Sequence, residues 1–214
     1  MNRKHIILLL DESGSMDSQK HNVIKGVNEM IKQQRELQFE PINLSIIKFN
    51  TLVTKVRCDN LWNVKPFSLS DYTPSGSTAL YDAIGSTISK FANDINTIMV
   101  IVTDGQENSS REYSRQQMIN MIDKQRKTKN WNFIYLSEDP TTVEQGNSMG
   151  IMNSAMNCSN TMVGRNQAGV TIGSNSLQTY IRDVTTGSTK RNYDDWQQIQ
   201  TKDQTKNRTK TCWS

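Results

Sequence analysis

The sequence predicts an α/β fold: a three-layer, Rossmann-like sandwich in which helices cover both faces of a mostly parallel central sheet that has one antiparallel edge strand. Two apolar runs, at residues 6–10 and 95–102, are typical of strands buried on both faces. Segments with apolar residues at helical spacing alternate with the strand-like segments, as in parallel sheets covered by helices. An acidic residue closely follows each of the two runs, where open α/β sheets bind their ligands.

The first half of the chain shows this alternation clearly. A helix is predicted from about Ser18 to Leu37, because apolar residues recur there with the period of a helix. Two short apolar segments, 42–49 and 52–58, are separated by a polar dipeptide, which predicts a β-hairpin. We expect the second strand of this hairpin to be the antiparallel edge strand. Residues 59–77 lack periodicity and indicate a surface loop.

The second half of the chain repeats the pattern. The expected helices lie at about 80–91, 111–127, 140–149 and 166–186, and the expected strands lie at 95–102 and 131–136. The helix at 111–127 is expected to turn four side chains inward: Tyr113, Met118, Met121 and Ile122. A last edge strand is expected within 150–162, where the pattern is weakest.

Length and polarity predict one domain and a tail. At 214 residues, the chain is long enough for one substantial domain and short for two. Residues 1–186 are predicted to form that domain. The remaining segment, 187–214, is polar and basic with almost no apolar periodicity, and we expect it to be flexible. A tail that docks onto nucleic acid or an acidic partner, with Trp196 and Trp213 as anchors, is the alternative.

Composition bears on location and on the class of partner. The net charge of +4 is too modest to indicate nucleic acid binding by itself. No stretch approaches the roughly 18 apolar residues of a membrane span, and the short apolar run near the amino terminus lacks a signal-cleavage site. Cys58, Cys158 and Cys212 are far apart and form no paired motif, which is typical of reduced thiols. We therefore expect a cytoplasmic protein.

The loop after the first strand carries the first candidate site. Asp11, Ser13 and Ser15 place a carboxylate and two hydroxyls at every second position, and their oxygen atoms converge if the loop curls back. Gly14 favours such a curl because glycine tolerates more backbone conformations. Oxygen ligands of this kind suit Mg²⁺, Mn²⁺ or Ca²⁺ rather than zinc or copper. Taken alone, the pattern fits a turn followed by a helix cap at least as well.

Two later segments change this balance. The stretch Pro74-Ser75-Gly76-Ser77-Thr78 delivers the Thr78 hydroxyl to the start of a helix. The second apolar strand ends in Thr103-Asp104-Gly105. Asp104 therefore lies where Asp11 lies, at the carboxyl end of a buried strand.

Together, Asp11-x-Ser13-x-Ser15, Thr78 and Thr103-Asp104-Gly105 resemble the metal-ion-dependent adhesion site (MIDAS) of von Willebrand factor type A (VWFA) domains, in order and in spacing. The resemblance spans roughly residues 1–186. Its most specific stretches are G-S-T-A-L-Y-D-A-I at 76–84 and V-I-V-T-D-G at 100–105, which are similar to the family's helix start and fourth-strand ending. Three motifs in the right order are far more specific than any one of them.

The resemblance implies a role for each site residue. Ser13 and Ser15 would be direct ligands of a divalent cation, and Thr78 a direct or switchable one. Asp11 and Asp104 would act mostly through bridging water molecules. The cation would be Mg²⁺, or alternatively Mn²⁺ or Ca²⁺. Because neutral hydroxyls leave the cation much of its charge, an open coordination position would capture an Asp or Glu carboxylate of a partner protein.

The resemblance also implies a setting. The chain is similar to compact, stand-alone intracellular members of the family in bacteria, phages and large viruses, which implies the cytoplasm, or the host cytoplasm for a virus or phage. It predicts a non-catalytic, cation-dependent protein-binding module in an assembly or ATPase-linked complex.

Two other functions stay open. A metal-dependent hydrolase is the first, but phosphatase-like sites resemble Asp-x-Asp-x-Thr, and Ser13 stands where the second acid would be. The histidines are His5 and His21, and a Ser-His-Asp triad is expected to be feasible only through His21. The second is a scaffold that has the fold but does not use the metal. Glu12 and Asp17 are expected to face solvent rather than to add negative charge around a cation.

Overall fold

The computed structural model describes residues 4–37, 40–137, 140–151 and 175–186, together with residues 172 and 188. Within these residues, five strands form one sheet. The strands are β1 (His5–Asp11), β2 (Asn43–Phe49), β3 (Val53–Asn60), β4 (Thr97–Val102) and β5 (Asn132–Leu136).

The strand order is β3-β2-β1-β4-β5, which places β1 in the middle of the sheet. β1 pairs in parallel with both β2 and β4, and β5 continues the parallel run beyond β4. β2 and β3 form an antiparallel hairpin with a register shift between Ile46 and Ile47. The predicted mostly parallel sheet with one antiparallel edge strand is confirmed.

Helices and short 3₁₀ segments connect the strands. Among the described residues, the helices are α1 (Lys20–Leu37), α2 (Leu80–Lys90), α3 (Arg115–Lys129), α4 (Pro140–Ser148) and α5 (Asn175–Thr185). The 3₁₀ segments, Gly14–Gln19 and Leu69–Asp71, follow β1 and β3. In the part of the chain that the structure describes, no helix combines the length and the apolar character needed to cross a membrane.

The alternation of side chains along β1 divides the core between the two faces of the sheet. Ile6, Leu8 and Leu10 pack with apolar residues of α1 and α5, and Ile7 and Leu9 pack with those of α2 and α3. All five side chains are fully buried. A strand covered on both faces has no polar side, which explains the unbroken apolar run in the sequence.

Two helices begin later than the sequence indicated. α1 begins at Lys20, because Gly14–Gln19 forms 3₁₀ turns first. α3 begins at Arg115, several residues later than expected, because Ser114 caps it. The Ser114 side chain accepts a hydrogen bond from Gln117 N, and the Gln117 side chain bonds back to Ser114 N, which is a capping box.

Tyr113, which was predicted to lie on the inward face of α3, precedes that helix and packs against α2. A Cβ atom on Gly85 would lie 2.5 Å from the Tyr113 ring, so the ring rests on bare helix backbone. Met118 and Ile122 are buried as predicted, and Met121 is partly buried. The aromatic ring thus belongs to the α2–α3 interface but not to α3.

Some predictions fall outside the described residues. They are most of the edge strand expected within 150–162, the helix segment 166–171, and the tail 187–214 apart from residue 188. Ile172 lies in a turn, and α5 is described from Asn175 to Thr185.

Candidate metal centre

The two predicted acidic loops meet at one edge of the sheet. β1 and β4 are parallel neighbours, with Leu10 opposite Val102, so their carboxyl ends lie side by side. Asp11 is the last residue of β1, and Asp104 lies just beyond β4. Parallel pairing therefore brings the two acidic residues together, as the sequence predicted.

Asp11 is completely buried, and both of its carboxylate oxygens accept hydrogen bonds. Oδ1 accepts from Ser13 N at 2.8 Å, and Oδ2 accepts from Thr103 Oγ1 at 2.5 Å. Burial raises the pKa of Asp11 to about 6, the Asp104 charge adds to this rise, and the hydrogen bonds from Thr103 and Ser13 oppose it. The carboxylate is thus fixed in orientation, and it fixes the start of the loop.

A chain of hydrogen bonds connects the two serines to the second acidic residue. The Ser13 and Ser15 hydroxyl oxygens lie 3.1 Å apart, and Ser15 Oγ donates to Asp104 Oδ1 at 2.7 Å. Ser13 is buried, whereas Ser15 is exposed. The cluster therefore extends from the buried strand end to the protein surface.

Gly105 lies where the three loops converge. A Cβ atom built on Gly105 would lie 2.7 Å from Thr78 Oγ1, 3.3 Å from Asp11 Oδ2 and 3.5 Å from Ser13 Oγ. Gly105 belongs to the loop after β4, and the three oxygens come from the end of β1, the loop that follows it and the loop before α2. All five predicted site residues are thus brought together, by direct hydrogen bonds or around this point.

Backbone hydrogen bonds hold the loop after β1 against the loop before α2. Gly14 N donates to Gly76 O at 3.1 Å, and Ser75 N donates to Glu12 O at 2.8 Å. Gly76 has a φ of +75°, in the left-handed region that favours glycine. The turn that presents this carbonyl therefore depends on a glycine at 76.

Glu12 is buried, so the expectation of a solvent-facing loop acid is wrong at this position. Its carboxylate pairs with Lys48 Nζ at 2.7 Å and accepts a hydrogen bond from Thr73 N at 2.5 Å. Lys48 lies in β2 and Thr73 in a distant loop, and no local pattern in the sequence connects either with Glu12. Asp17 is exposed, as expected.

Two further residues hold Asp11 and were not among the five predicted site residues. Thr103 Oγ1 donates to its carboxylate, and the Tyr72 hydroxyl donates to its backbone carbonyl. Burial raises the pKa of Tyr72, and the neighbouring negative charges of Asp11 and Glu12 add to this rise. The parallel pairing of β1 with β4 could have indicated Thr103, whereas Tyr72 comes from an irregular loop that gave no signal.

A second polar cluster lies at the opposite edge of the sheet. His5 Nδ1 lies 2.7 Å from Asp94 Oδ2, and His5 Nε2 lies 2.9 Å from Ser45 Oγ. The expectation that only His21 could take part in a Ser-His-Asp arrangement is therefore wrong. His21 is exposed on α1, whereas Ser45 is fully buried, which leaves its hydroxyl no access to a substrate.

The atoms that converge at the carboxyl edge are hydroxyl and carboxylate oxygens, which are the ligands of hard cations such as Mg²⁺, Mn²⁺ and Ca²⁺. Over the described ranges, no group of three or more His, Cys, Asp or Glu residues is placed to hold a metal ion. The chemistry of this donor set therefore fits a hard divalent cation that takes several neutral oxygen ligands.

No family model matches the chain, and no curated protein matches it. Among solved structures, the pilus adhesin SpaC from Lactobacillus rhamnosus GG is similar, with a TM-score of 0.55 and 11% identity over 87% of this chain and 30% of the adhesin.

Two further solved structures are also similar to the chain. The ArnB paralog VWA2 from Sulfolobus acidocaldarius has a TM-score of 0.45 and 19% identity over 64% of this chain and 35% of its own. A von Willebrand factor type A structure from Catenulispora acidiphila has a TM-score of 0.43 and 12% identity over 70% of this chain and 42% of its own. The chain thus spans well under two thirds of each of these proteins. At such low identity, the likeness concerns the fold alone.

Proposed function

We propose that the chain is a non-catalytic, divalent-cation-dependent protein-binding module. Its metal site would be of the MIDAS type, and the site residues would be Asp11, Ser13, Ser15, Thr78 and Asp104. The cation would be Mg²⁺, Mn²⁺ or Ca²⁺, and the partner would be a protein that presents an Asp or Glu carboxylate. The observation that carries this proposal is the convergence of three side-chain oxygens within 3.5 Å of one point beside Gly105.

The proposed site residues differ in charge and in role. Ser13, Ser15 and Thr78 offer neutral hydroxyl oxygens, which would leave the cation most of its positive charge. Asp11 already accepts hydrogen bonds from Ser13 N and Thr103 Oγ1, so we assign it to orienting the loop rather than to direct ligation. A cation that keeps its charge attracts a partner carboxylate strongly, especially where water is excluded.

The surroundings of the site support the approach of a partner. Gly14, Ser15, Gly76 and Ser77 are all exposed, and they lie in the two loops that meet above the buried Asp11. A partner surface that closes over these loops would exclude water and add contact area around the captured carboxylate. SpaC, which shares the fold, is a pilus adhesin, and a binding role for this chain agrees with that.

We further propose that the module works in the cytoplasm, in an assembly or ATPase-linked complex. The support for this setting is the resemblance to compact intracellular members of the VWFA family. A catalytic role has less support, because the Ser-His-Asp arrangement at His5 has its serine, Ser45, fully buried.

The first test is metal binding. We expect the chain to bind Mn²⁺ in a titration that follows the electron paramagnetic resonance signal of the free ion. The Ser13→Ala/Ser15→Ala variant loses two proposed ligand oxygens and should bind at least about tenfold more weakly. Asp17→Ala removes an exposed acid that follows the same loop and, as the matched control, should bind like the unmodified chain.

The second test is capture of a partner. Proteins retained from a cell lysate in Mg²⁺ are compared with those retained in EDTA and with those retained by Asp104→Ala. A partner retained only with metal and with Asp104 supports the proposal. Partners unaffected by either change would instead favour a metal-independent scaffold, and Mg²⁺-dependent hydrolysis of generic phosphate esters would favour the hydrolase.

A further inference from the structure

The loop that follows β4 is attached to the start of α2 through residues that lie outside the motifs. Asn108 Oδ1 accepts a hydrogen bond from Thr78 N at 2.9 Å, and Asn108 N donates to Thr78 O at 3.0 Å. One residue therefore holds both backbone polar groups of Thr78. Because Thr78 precedes α2, which begins at Leu80, its orientation depends on this contact and not on the helix.

Glu107 fixes the shape of the loop that carries Asn108. Its carboxylate accepts hydrogen bonds from Ser109 N at 2.9 Å and Ser110 N at 2.7 Å, within the same loop. It also accepts from Tyr81 N at 3.0 Å, in the first turn of α2. A carboxylate at the amino end of a helix is further stabilised by the helix dipole. Asn108 is thus presented to Thr78 from a closed, anchored loop.

We propose that Asn108 is a positioning residue of the metal site. It holds Thr78 so that Oγ1 faces the same point as Asp11 Oδ2, and it belongs to the loop that begins with Asp104. Thr78 and Asp104 are thereby joined into one unit, so that Thr78 does not switch independently of Asp104. This inference rests on the proposed function, because it concerns how well the same site binds a cation.

The physical reason is pre-organisation. A hydroxyl held in place before the cation arrives loses less conformational freedom on binding than one on a loose loop. Residues that orient metal ligands without touching the metal typically change metal affinity by about 10- to 100-fold when they are replaced. Thr78 is buried, but Asn108 is exposed, so we expect water to enter the space left by its side chain and to accept from Thr78 N. The fold itself should therefore tolerate the change.

The test uses Mn²⁺ alone as the probe, on the full chain. Asn108→Ala removes the acceptor for Thr78 N and should weaken Mn²⁺ binding about tenfold. Asn108→Asp keeps an oxygen in the same place and should restore affinity to within about threefold of the unmodified chain, or tighter. Asn63→Ala, in an exposed loop beyond the end of β3 at the other edge of the sheet, should change nothing.

A charge control separates positioning from simple attraction. The double variant Asn108→Ala/Gln106→Glu adds a negative charge to the same exposed loop without an acceptor for Thr78 N. It should remain about as weak as Asn108→Ala, and rescue of Mn²⁺ binding by this charge would overturn the inference. Thermal unfolding in EDTA should be similar for the Ala and Asp variants of Asn108, since their difference concerns the cation.

The remaining outcomes are also decisive. Normal Mn²⁺ binding by Asn108→Ala would overturn the positioning role while leaving the proposed metal site intact. Equal weakness of Asn108→Asp and Asn108→Ala would show that the acceptor for Thr78 N is not the cause. Failure of the unmodified chain to bind Mn²⁺ would overturn the proposed function and this inference together.

Discussion

The two ends of β1 carry polar clusters with similar hydrogen-bond geometry and opposite access. At the amino end, His5 lies between Asp94 and Ser45, with contacts of 2.7 and 2.9 Å. At the carboxyl end, Asp11 accepts a hydrogen bond from Ser13 N at 2.8 Å. Judged by distances alone, the amino end looks more like an active site, because it contains a Ser-His-Asp arrangement.

The two clusters differ in their access to solvent. At the amino end, the His5 ring packs edge-on against Phe91 with centroids 4.6 Å apart, and Ser45 is fully buried in the sheet. At the carboxyl end, the cluster continues through Ser15 to exposed loops. Hydrogen-bond geometry therefore does not by itself define a functional site, because a partner also has to reach the atoms. Open α/β sheets provide that access beyond the carboxyl ends of their strands.

The largest effect is expected from a methyl group added at Gly105, at the carboxyl edge of the sheet. Gly105→Ala places a Cβ atom 2.7 Å from Thr78 Oγ1, at the point where the oxygens converge. We expect Mn²⁺ affinity to fall by about a hundredfold, the upper end of what indirect changes around a metal do. The fold should persist, because Gly105 is only half-buried. Mn²⁺ titration and circular dichroism measure the two quantities separately.

A matched glycine provides the control for this prediction. Gly14→Ala would add a Cβ atom whose nearest neighbour is Gly76 O at 3.6 Å, which is ordinary van der Waals contact. Gly14 lies between the two serines of the same site, so the two variants differ mainly in where the added methyl group lies. Equal Mn²⁺ affinity of Gly105→Ala and Gly14→Ala would show that the point beside Gly105 is not where the cation sits.

The next largest effect is expected from the loss of the His5 ring, at the amino end of β1. His5→Ala removes a buried ring that packs on Phe91 and leaves Ser45 and Asp94 without their partner. The free energy of unfolding should fall by about 2 kcal/mol, from lost packing and unmade hydrogen bonds. Mn²⁺ affinity should not change, because the cluster lies at the other edge of the sheet. Urea denaturation in EDTA measures the first quantity.

Esterase activity that depends on Ser45 would contradict this contrast between the two ends of β1. If the unmodified chain hydrolysed a small activated ester, and Ser45→Ala abolished that activity, the buried arrangement would be an active site after all. Ser45→Ala is expected instead to lower stability modestly and to leave any background hydrolysis unchanged.

Most of the fold could be predicted because the physics that sets it is local in sequence. The unbroken apolar run Ile6-Ile7-Leu8-Leu9-Leu10 reflects the burial of both faces of β1. The helical spacing of apolar residues in α1 reflects its single buried face. The late start of α3 was missed although Ser114 and Gln117 form a capping box, because the apolar Tyr113 extended the helical pattern by one turn.

The site could be predicted only in part. The proximity of the five candidate residues could be predicted because strand ends and short spacings are visible in sequence. Glu12 was misjudged because its partner, Lys48, lies on a neighbouring strand, and burial by such a partner has no local signal. The contact of Asn108 with Thr78 was not predicted for the same reason, since it joins two separate loops. Pairings that arise only from the tertiary fold are what the sequence does not display.

The smallest effect is expected from Glu12. It tests whether a buried polar residue at the carboxyl end of β1 contributes to cation binding or only to the stability of the fold. Glu12→Gln keeps an oxygen for Thr73 N but removes the charge that pairs with Lys48. Because the Lys48 side chain remains 19% exposed, water can partly solvate its unpaired charge. We therefore expect the free energy of unfolding to fall by only about 1 kcal/mol at pH 7. Mn²⁺ affinity should change by less than about threefold.

A double variant decides how that result is interpreted. Glu12→Gln/Lys48→Met removes both charges, and it should be less destabilised than the sum of the single variants, because an unpaired buried charge costs more than a missing pair. A different result would be a tenfold loss of Mn²⁺ affinity in Glu12→Gln and normal affinity in the double variant. It would show that the charges of Glu12 and Lys48 act electrostatically on the bound cation. The expected result would group Glu12 with His5, as buried polar residues that stabilise the fold. Residues that stabilise the fold would then lie directly beside the proposed cation site at one edge of the sheet.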